Sequence, residues 1–137
     1  AAAAGVTIDI KREPNDGYWS EVWNAQPFCT SYWGGRPIQD QMFSTAYLST
    51  ADWNDTRFFN EQFDQLLIAA RAELDEAKRT QMYADMGTIL HNEGGLICPM
   101  FNDFIDAQSD RIEGWVSEVP GFGFMNNSAP MRMWVVA

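Results

Sequence analysis

The sequence predicts a mixed α/β fold. Three observations carry that expectation: a period-two stretch near the start, two consecutive segments with helical periodicity, and short apolar runs that end at glycine or contain proline. In residues 5–13, Val6, Ile8 and Ile10 point one way and Thr7, Asp9 and Lys11 the other, the pattern of a half-buried strand. Pro14-Asn15-Asp16-Gly17 supplies turn chemistry, and Asp16 is placed to cap a short helix over residues 17–24. Tyr18, Trp19, Val22 and Trp23 form its apolar stripe. Residues 27–33 then read as a buried strand that stops at Gly34-Gly35. Strand, helix and strand in this order make a βαβ-like unit, which argues for parallel pairing in a mixed layer.

Two helices are expected in the middle of the chain, after a less regular stretch with a helical turn or two around Ile38, Met42 and Phe43. Residues 49–55 read as loop and cap material, with Asp55 capping a helix over residues 56–72. Phe59, Phe63, Leu66, Leu67 and Ala70 lie on one face of that helix. A second helix over residues 75–93 presents Met82, Tyr83, Met86, Ile89 and Leu90, begins with Asp75 and Glu76, and stops at Gly94-Gly95. The join is short, so the pair should be an antiparallel hairpin whose faces bury Phe63, Leu67 and Met86 and pack on the strands at 6–10 and 28–33. The methionines are gap-filling core, and His91 sits in the last turn near terminal carbonyls. Residues 96–101, with an internal proline, read as an edge strand, and residues 120–130 as an extended loop. Residues 131–136 read as a last strand that must pair with something.

Composition narrows the partners. The 137 residues suit one domain with a real core; 46% are hydrophobic and 14% aromatic. Nine basic residues face nineteen acidic ones, a formal charge of −10, which disfavours nucleic acid and an anionic membrane surface. No apolar run approaches the length of a membrane span. The chain opens on Ala1-Ala2-Ala3-Ala4 without a basic start, the expectation for a mature or truncated chain rather than one carrying a signal peptide. Cys29 and Cys98 lack the paired spacing of a zinc site, and the single histidine cannot build a cluster. The two read as buried thiols; a disulfide stays open if their strands are neighbours. No phosphate-binding glycine motif, nucleophile elbow or metalloprotease helix is present, and nothing calls for catalysis or a cofactor.

The candidate site lies in residues 27–37. Ser31, Tyr32 and Trp33 end an apolar run, Gly34-Gly35 clears side chains from the space beyond, and Arg36 adds one guanidinium. A strand end with aromatics, glycines and a single charge makes a wall for a small molecule. The competing reading is core packing with a surface arginine. Alternation sends Tyr32 and Trp33 to opposite faces, so one contacts ligand and the other enters the core; Trp33 is assigned the ligand and Tyr32 the core.

In their order and spacing these pieces resemble the C-terminal part of family 5 extracellular solute-binding proteins, the peptide-, dipeptide- and nickel-type receptors of ABC importers. The resemblance runs over residues 5–136. It rests on the Gly-Val-Thr-Ile-Asp-Ile run, Asp16-Gly17-Tyr18-Trp19, the stretch ending at Trp33, Gly35-Arg36-Pro37, the helix holding Phe63 and Ala70, the Asp75-Glu76-Ala77-Lys78-Arg79 helix with Met82-Tyr83, and Ile97-Cys98-Pro99-Met100-Phe101. Those receptors are several times longer and close two lobes on a buried ligand. The resemblance implies that residues 5–111 are part of the second lobe of a type II periplasmic-binding-protein-like fold, and that residues 112–137 are a tail returning to the first lobe, where the last strand pairs. It implies a periplasmic location, a small-molecule ligand, a membrane permease as partner, and no catalysis. It also implies that the sequence of the first lobe precedes Ala1 in the parent gene.

In the peptide-binding members, the tryptophan matched by Trp33 lines the pocket, and an aspartate three positions on grips the ligand's amino group. Here that position is Arg36, and Asp40 is out of register. An arginine there favours a carboxylate or phosphate over an ammonium. Three other functions compete. Six tryptophans and four tyrosines would suit a carbohydrate-binding module, although the helix pair is foreign to that all-β class. Asp40 and Asp55 would serve an acid–base hydrolase only if they faced one cleft. An acidic α/β interaction domain without a small-molecule ligand is the remaining alternative.

Overall fold

The computed structural model describes residues 1–103, 105–116, 119 and 127–136. They form two compact units, residues 1–31 and residues 32–137. Among the described residues the secondary structure is mixed and dominated by helices, with one small antiparallel sheet.

In the first unit the expected strand at 5–13 is not formed: residues 6–14 have no regular secondary structure and no ladder partner. Val6, Ile8 and Ile10 are 53%, 59% and 89% exposed. The alternation is in the sequence, but a strand exists only where a neighbour takes its N–H and C=O groups. The expected helix over 17–24 is a single π turn, Tyr18–Val22. Gly17, at φ 80°, precedes it, and Asp16 makes no cap. Its aromatic residues associate with one another, Tyr18 with Trp19 at 5.6 Å and Trp19 with Trp23 at 5.9 Å. The Tyr18 hydroxyl donates to the Thr30 carbonyl at 2.8 Å, which ties the following chain back to the turn. Residues 27–28 are bends and residues 29–31 have no regular secondary structure, so the expected parallel βαβ unit is overturned.

The second unit contains helices α1 (Gln39–Ala46), α2 (Glu61–Ala72) and α3 (Glu76–Glu93). The α2 cap is Asn60, whose side chain accepts from Phe63 N, and the helix starts five residues later than the sequence suggests. The cause is local: Asn54 holds both backbone groups of Phe58 in a turn, so residues 56–60 cannot wind. Phe59 is accordingly 68% exposed rather than on the core face. Asp75 caps α3 as expected, accepting from Lys78 N at 3.1 Å. Gly94 ends α3 with φ −70°, so its stop is not a left-handed cap. His91 lies exposed in the last turn.

The helix pair is antiparallel. Residues 73–75 join one pair of ends, and Asn60 Nδ2 donates to Glu93 Oε2 at 2.9 Å at the other. Phe63, Leu67, Ala70 and Met86 are fully buried between these helices and α1, with Ala46, Tyr47 and Phe58 completing the cluster. Phe43 of α1 lies 5.3 Å from Phe63, ring to ring, and Phe58 lies at the same distance edge-on. The expected burial of Phe63, Leu67 and Met86 holds.

Residues 96–101 form no strand and have no regular secondary structure, which corrects the expected edge strand; Ile97 and Phe101 are 76% and 96% exposed. Both thiols are free, with Cys29 half-buried and Cys98 exposed rather than buried. The strand expected over residues 131–136 is shorter. A helical turn, α4 (Ala129–Arg132), comes first, and β2 (Trp134–Val135) then pairs antiparallel with β1 (Ile112–Glu113), Ile112 opposite Val135 and Glu113 opposite Trp134. Gly114, at φ 83°, follows β1 where an added Cβ would run into Arg132 O and the Trp134 ring. Of the loop expected at 120–130, residues 120–126 lie outside the described residues. Among the described residues, no helix is long and apolar enough to cross a membrane.

Candidate ligand site

A hollow of about 300 Å³ opens on the second unit, lined by Ser44, Thr45, Ala51, Asp52 and Trp53. The end of α1 supplies the two hydroxyls. The other three residues stand on the loop between α1 and α2, and that loop is fixed from within. Ala51 N donates to Leu48 O at 2.8 Å and Asn54 N to Ala51 O at 3.1 Å. The buried Asn54 side chain donates to Phe58 O at 2.6 Å and accepts from Phe58 N at 3.1 Å. Ser49 N donates to Asp64 Oδ1 at 3.1 Å, which fastens the loop to α2. Trp53 is 49% exposed at the loop tip, and its ring lies 6.0 Å from Trp33 at a tilt of 55°.

The structure separates the four residues assigned to the site from the sequence. Trp33 is half-buried, packs on the core cluster and backs Trp53, so it stands behind the hollow's aromatic rim. Tyr32 is 72% exposed, which corrects its assignment to the core: without a ladder at residues 32–36, alternation does not dictate which side is buried. Ser31 is exposed. Arg36 is half-buried, and its Nη1 donates to Gly34 O at 2.8 Å and to Gly35 O at 3.3 Å. That guanidinium stabilises its own glycine turn instead of extending toward a ligand. Trp53, Asp52, Ser44 and Thr45 were not singled out in the sequence. Trp53 between two polar residues in a polar loop is the signal that marks it, because an aromatic there needs either core or ligand to cover it.

Behind the hollow, Asp40 joins all three helices. Arg71 of α2 grips it with two hydrogen bonds, Nε to Oδ2 at 2.7 Å and Nη2 to Oδ1 at 2.9 Å. Tyr83 of α3 donates to Oδ2 at 3.1 Å. Ser44 Oγ donates to Asp40 O at 2.6 Å and also receives Arg71 Nη2. The Arg71 hydrogen bond holds the Asp40 carboxyl below its usual value of 3.8, against partial burial. Burial and the Asp40 hydrogen bond raise Tyr83, and Asp40 raises Arg71. At the start of the loop, burial first, and then Asp55 and Cys98, push Tyr47 up to about 12.

This linkage has a sign. A carboxyl with a lowered folded value stabilises the fold fully above its unfolded value of 3.8, and that contribution is lost as pH falls through the folded value. The melting-temperature difference between wild type and Asp40→Asn is expected to be constant above about pH 5 and to shrink below it. A difference that does not change with pH would mean that Asp40 acts by shape alone.

Among the described residues, no group of three or more histidine, cysteine or acidic side chains could hold a metal ion. Compared with known proteins, the chain matches no family model, no curated protein and no solved structure.

Proposed function

We propose that this chain is part of a substrate-binding receptor that delivers a small solute to an ABC importer outside the cytoplasmic membrane. Residues 5–111 contribute to its second lobe, of the type II periplasmic-binding-protein-like kind, and residues 112–137 are a tail that returns to the first. The observation that carries the reading is the place of Trp33. At the position where the resemblance puts the ligand wall, Trp33 is half-buried and tilted against Trp53 on the rim of a hollow. The antiparallel helix pair supplies a rigid base for that wall. The exposed apolar residues Leu96, Ile97, Met100 and Phe101 suit a surface covered by another lobe. The same patch supports the alternative, an acidic interaction domain without a small-molecule ligand. The receptor reading carries no catalytic step and no cofactor.

The test uses the complete receptor and panels of peptides, amines and organic acids, read by thermal shift. At least one class should stabilise it, and Trp33→Ala should weaken that ligand by about 1–3 kcal/mol. The isolated chain should bind the same ligand far more weakly, because a ligand closed between two lobes loses roughly half its contacts with one. Micromolar binding by the isolated chain, or a Trp33→Ala receptor that binds as wild type, would refute the assignment.

A further inference from the structure

One turn of the first unit carries a reactive pair. The sequence has eleven aspartates, of which only Asp16 is followed by glycine, and no asparagine is. Asp16 and Gly17 are exposed and lead into the π turn Tyr18–Val22. Among the described residues, no hydrogen bond or ion pair uses the Asp16 carboxylate, the Asp16 carbonyl or the Gly17 N–H. The bonded groups lie on either side of that peptide. Tyr18 N donates to Asn15 O at 3.3 Å, and Gly17 O accepts from Ser20 N at 3.1 Å and from Glu21 N at 2.8 Å. The peptide plane between the Asp16 and Gly17 α-carbons can therefore rotate without breaking any of these bonds. Gly17 sits at φ 80° and has no Cβ, so it tolerates the rotation and leaves its nitrogen unshielded.

We infer that Asp16 is a site of spontaneous isoaspartate formation. The Gly17 nitrogen attacks Cγ of the protonated Asp16 carboxyl. An N–Cγ bond forms, the Cγ–OH bond breaks, and the hydroxyl leaves with the amide proton as water. The product is a five-membered succinimide ring. Water then adds at one of its two carbonyls. Addition at Cγ restores aspartate. Addition at the backbone carbonyl breaks the bond from that carbon to the Gly17 nitrogen. The chain then runs through Cβ and Cγ, and the carboxylate stands on Cα. The final mass is unchanged, and water is the sole co-reactant. The main chain gains one atom between Asn15 and Tyr18, which spoils the hydrogen bond that closes the turn. It also shifts Tyr18, whose hydroxyl donates to Thr30 O at 2.8 Å. Modification loosens the first unit and leaves the helices of the second unchanged. This inference is independent of the receptor reading.

The chain is incubated at body temperature and mildly acidic pH. Samples taken over several weeks are digested and fragmented by electron-transfer dissociation, whose backbone fragments tell isoaspartate from aspartate. Isoaspartate should accumulate at Asp16 at least about tenfold faster than at any other aspartate, Asp85 within α3 included. Asp16→Asn should lose ammonia through the same ring and react faster still. Asp16→Glu should show almost no isomer there, because its longer side chain closes a slower six-membered ring. Near-ultraviolet circular dichroism of the wild type should decline with the isoaspartate fraction while the far-ultraviolet helix signal persists, and Asp16→Glu should keep both. No more isoaspartate at Asp16 than at Asp85 overturns the inference. Accumulation in denaturant but not in buffer overturns it as well, because the folded turn would then hold the peptide in place. Accumulation without loss of aromatic signal refutes the loosening of the first unit.

Discussion

Phe63→Ala is expected to lower stability by about 3–5 kcal/mol, the range for removing a fully enclosed aromatic ring. Phe63 is 0% exposed and stands where three pieces of chain meet. Its own helix α2 holds it, Phe43 reaches it from α1, and Phe58 meets it edge-on from the loop. None of these neighbours can close the space without moving a helix, so the cavity term adds to the lost transfer energy. The measurement is a denaturant titration of the chain, with the midpoint falling and the slope unchanged. Phe59→Ala is the control: that neighbour is 68% exposed, and its loss should cost well under about 1 kcal/mol. Similar losses for the two would mean that Phe63 is not the centre of the core.

That pair also shows what the sequence made legible. Helical periodicity put Phe59 and Phe63 on one face, and the face is real from Phe63 onward, because an α-helix makes its hydrogen bonds within itself. Phe59 lies outside the helix because a side chain, Asn54, competes for the backbone there. The antiparallel pair, the Asp75 cap and the burial of Leu67 and Met86 were readable for the same local reason. The strands were not. Val6, Ile8 and Ile10 alternate, yet alternation describes a strand's two faces and does not supply the neighbour that pairs with it. Where a partner is present, as for Trp134 and Val135, it is Glu113 and Ile112, two residues that no local pattern joined to the end of the chain.

The candidate site follows the same division. Trp33 was found because it ends an apolar run beside two glycines. Trp53 and Asp52 were not, because they stand in a polar loop whose shape is set by side-chain bonds to backbone. Arg36 was assigned to a ligand on its charge, and the turn it closes takes one of its nitrogens. Chemistry that depends on where a loop folds is invisible to periodicity.

Asn54→Ala is expected to cost about 2–3 kcal/mol and to spoil the hollow as well, because one side chain serves both. Asn54 is 3% exposed. Its amide donates to Phe58 O at 2.6 Å, and its carbonyl accepts from Phe58 N at 3.1 Å. Alanine leaves both backbone groups of the buried Phe58 without these partners, and water cannot replace them without opening the core around its ring. Trp53 precedes Asn54 directly, so a loosened turn should also release the tilted contact between Trp53 and Trp33. Near-ultraviolet circular dichroism should then lose aromatic signal while far-ultraviolet helix signal remains, and the melting temperature should fall. Asn54→Asp separates the donor from the shape. Its carboxylate can still accept from Phe58 N but faces the Phe58 carbonyl with no proton to offer, so the folded state raises the pKa of the new group. The stability it keeps is present below the unfolded carboxyl value of about 3.9 and is lost as pH rises through the folded value. Asn54→Asp should therefore approach wild type in acid and resemble Asn54→Ala at neutral pH. If both variants kept wild-type stability and aromatic signal at neutral pH, the loop would be held by something other than Asn54.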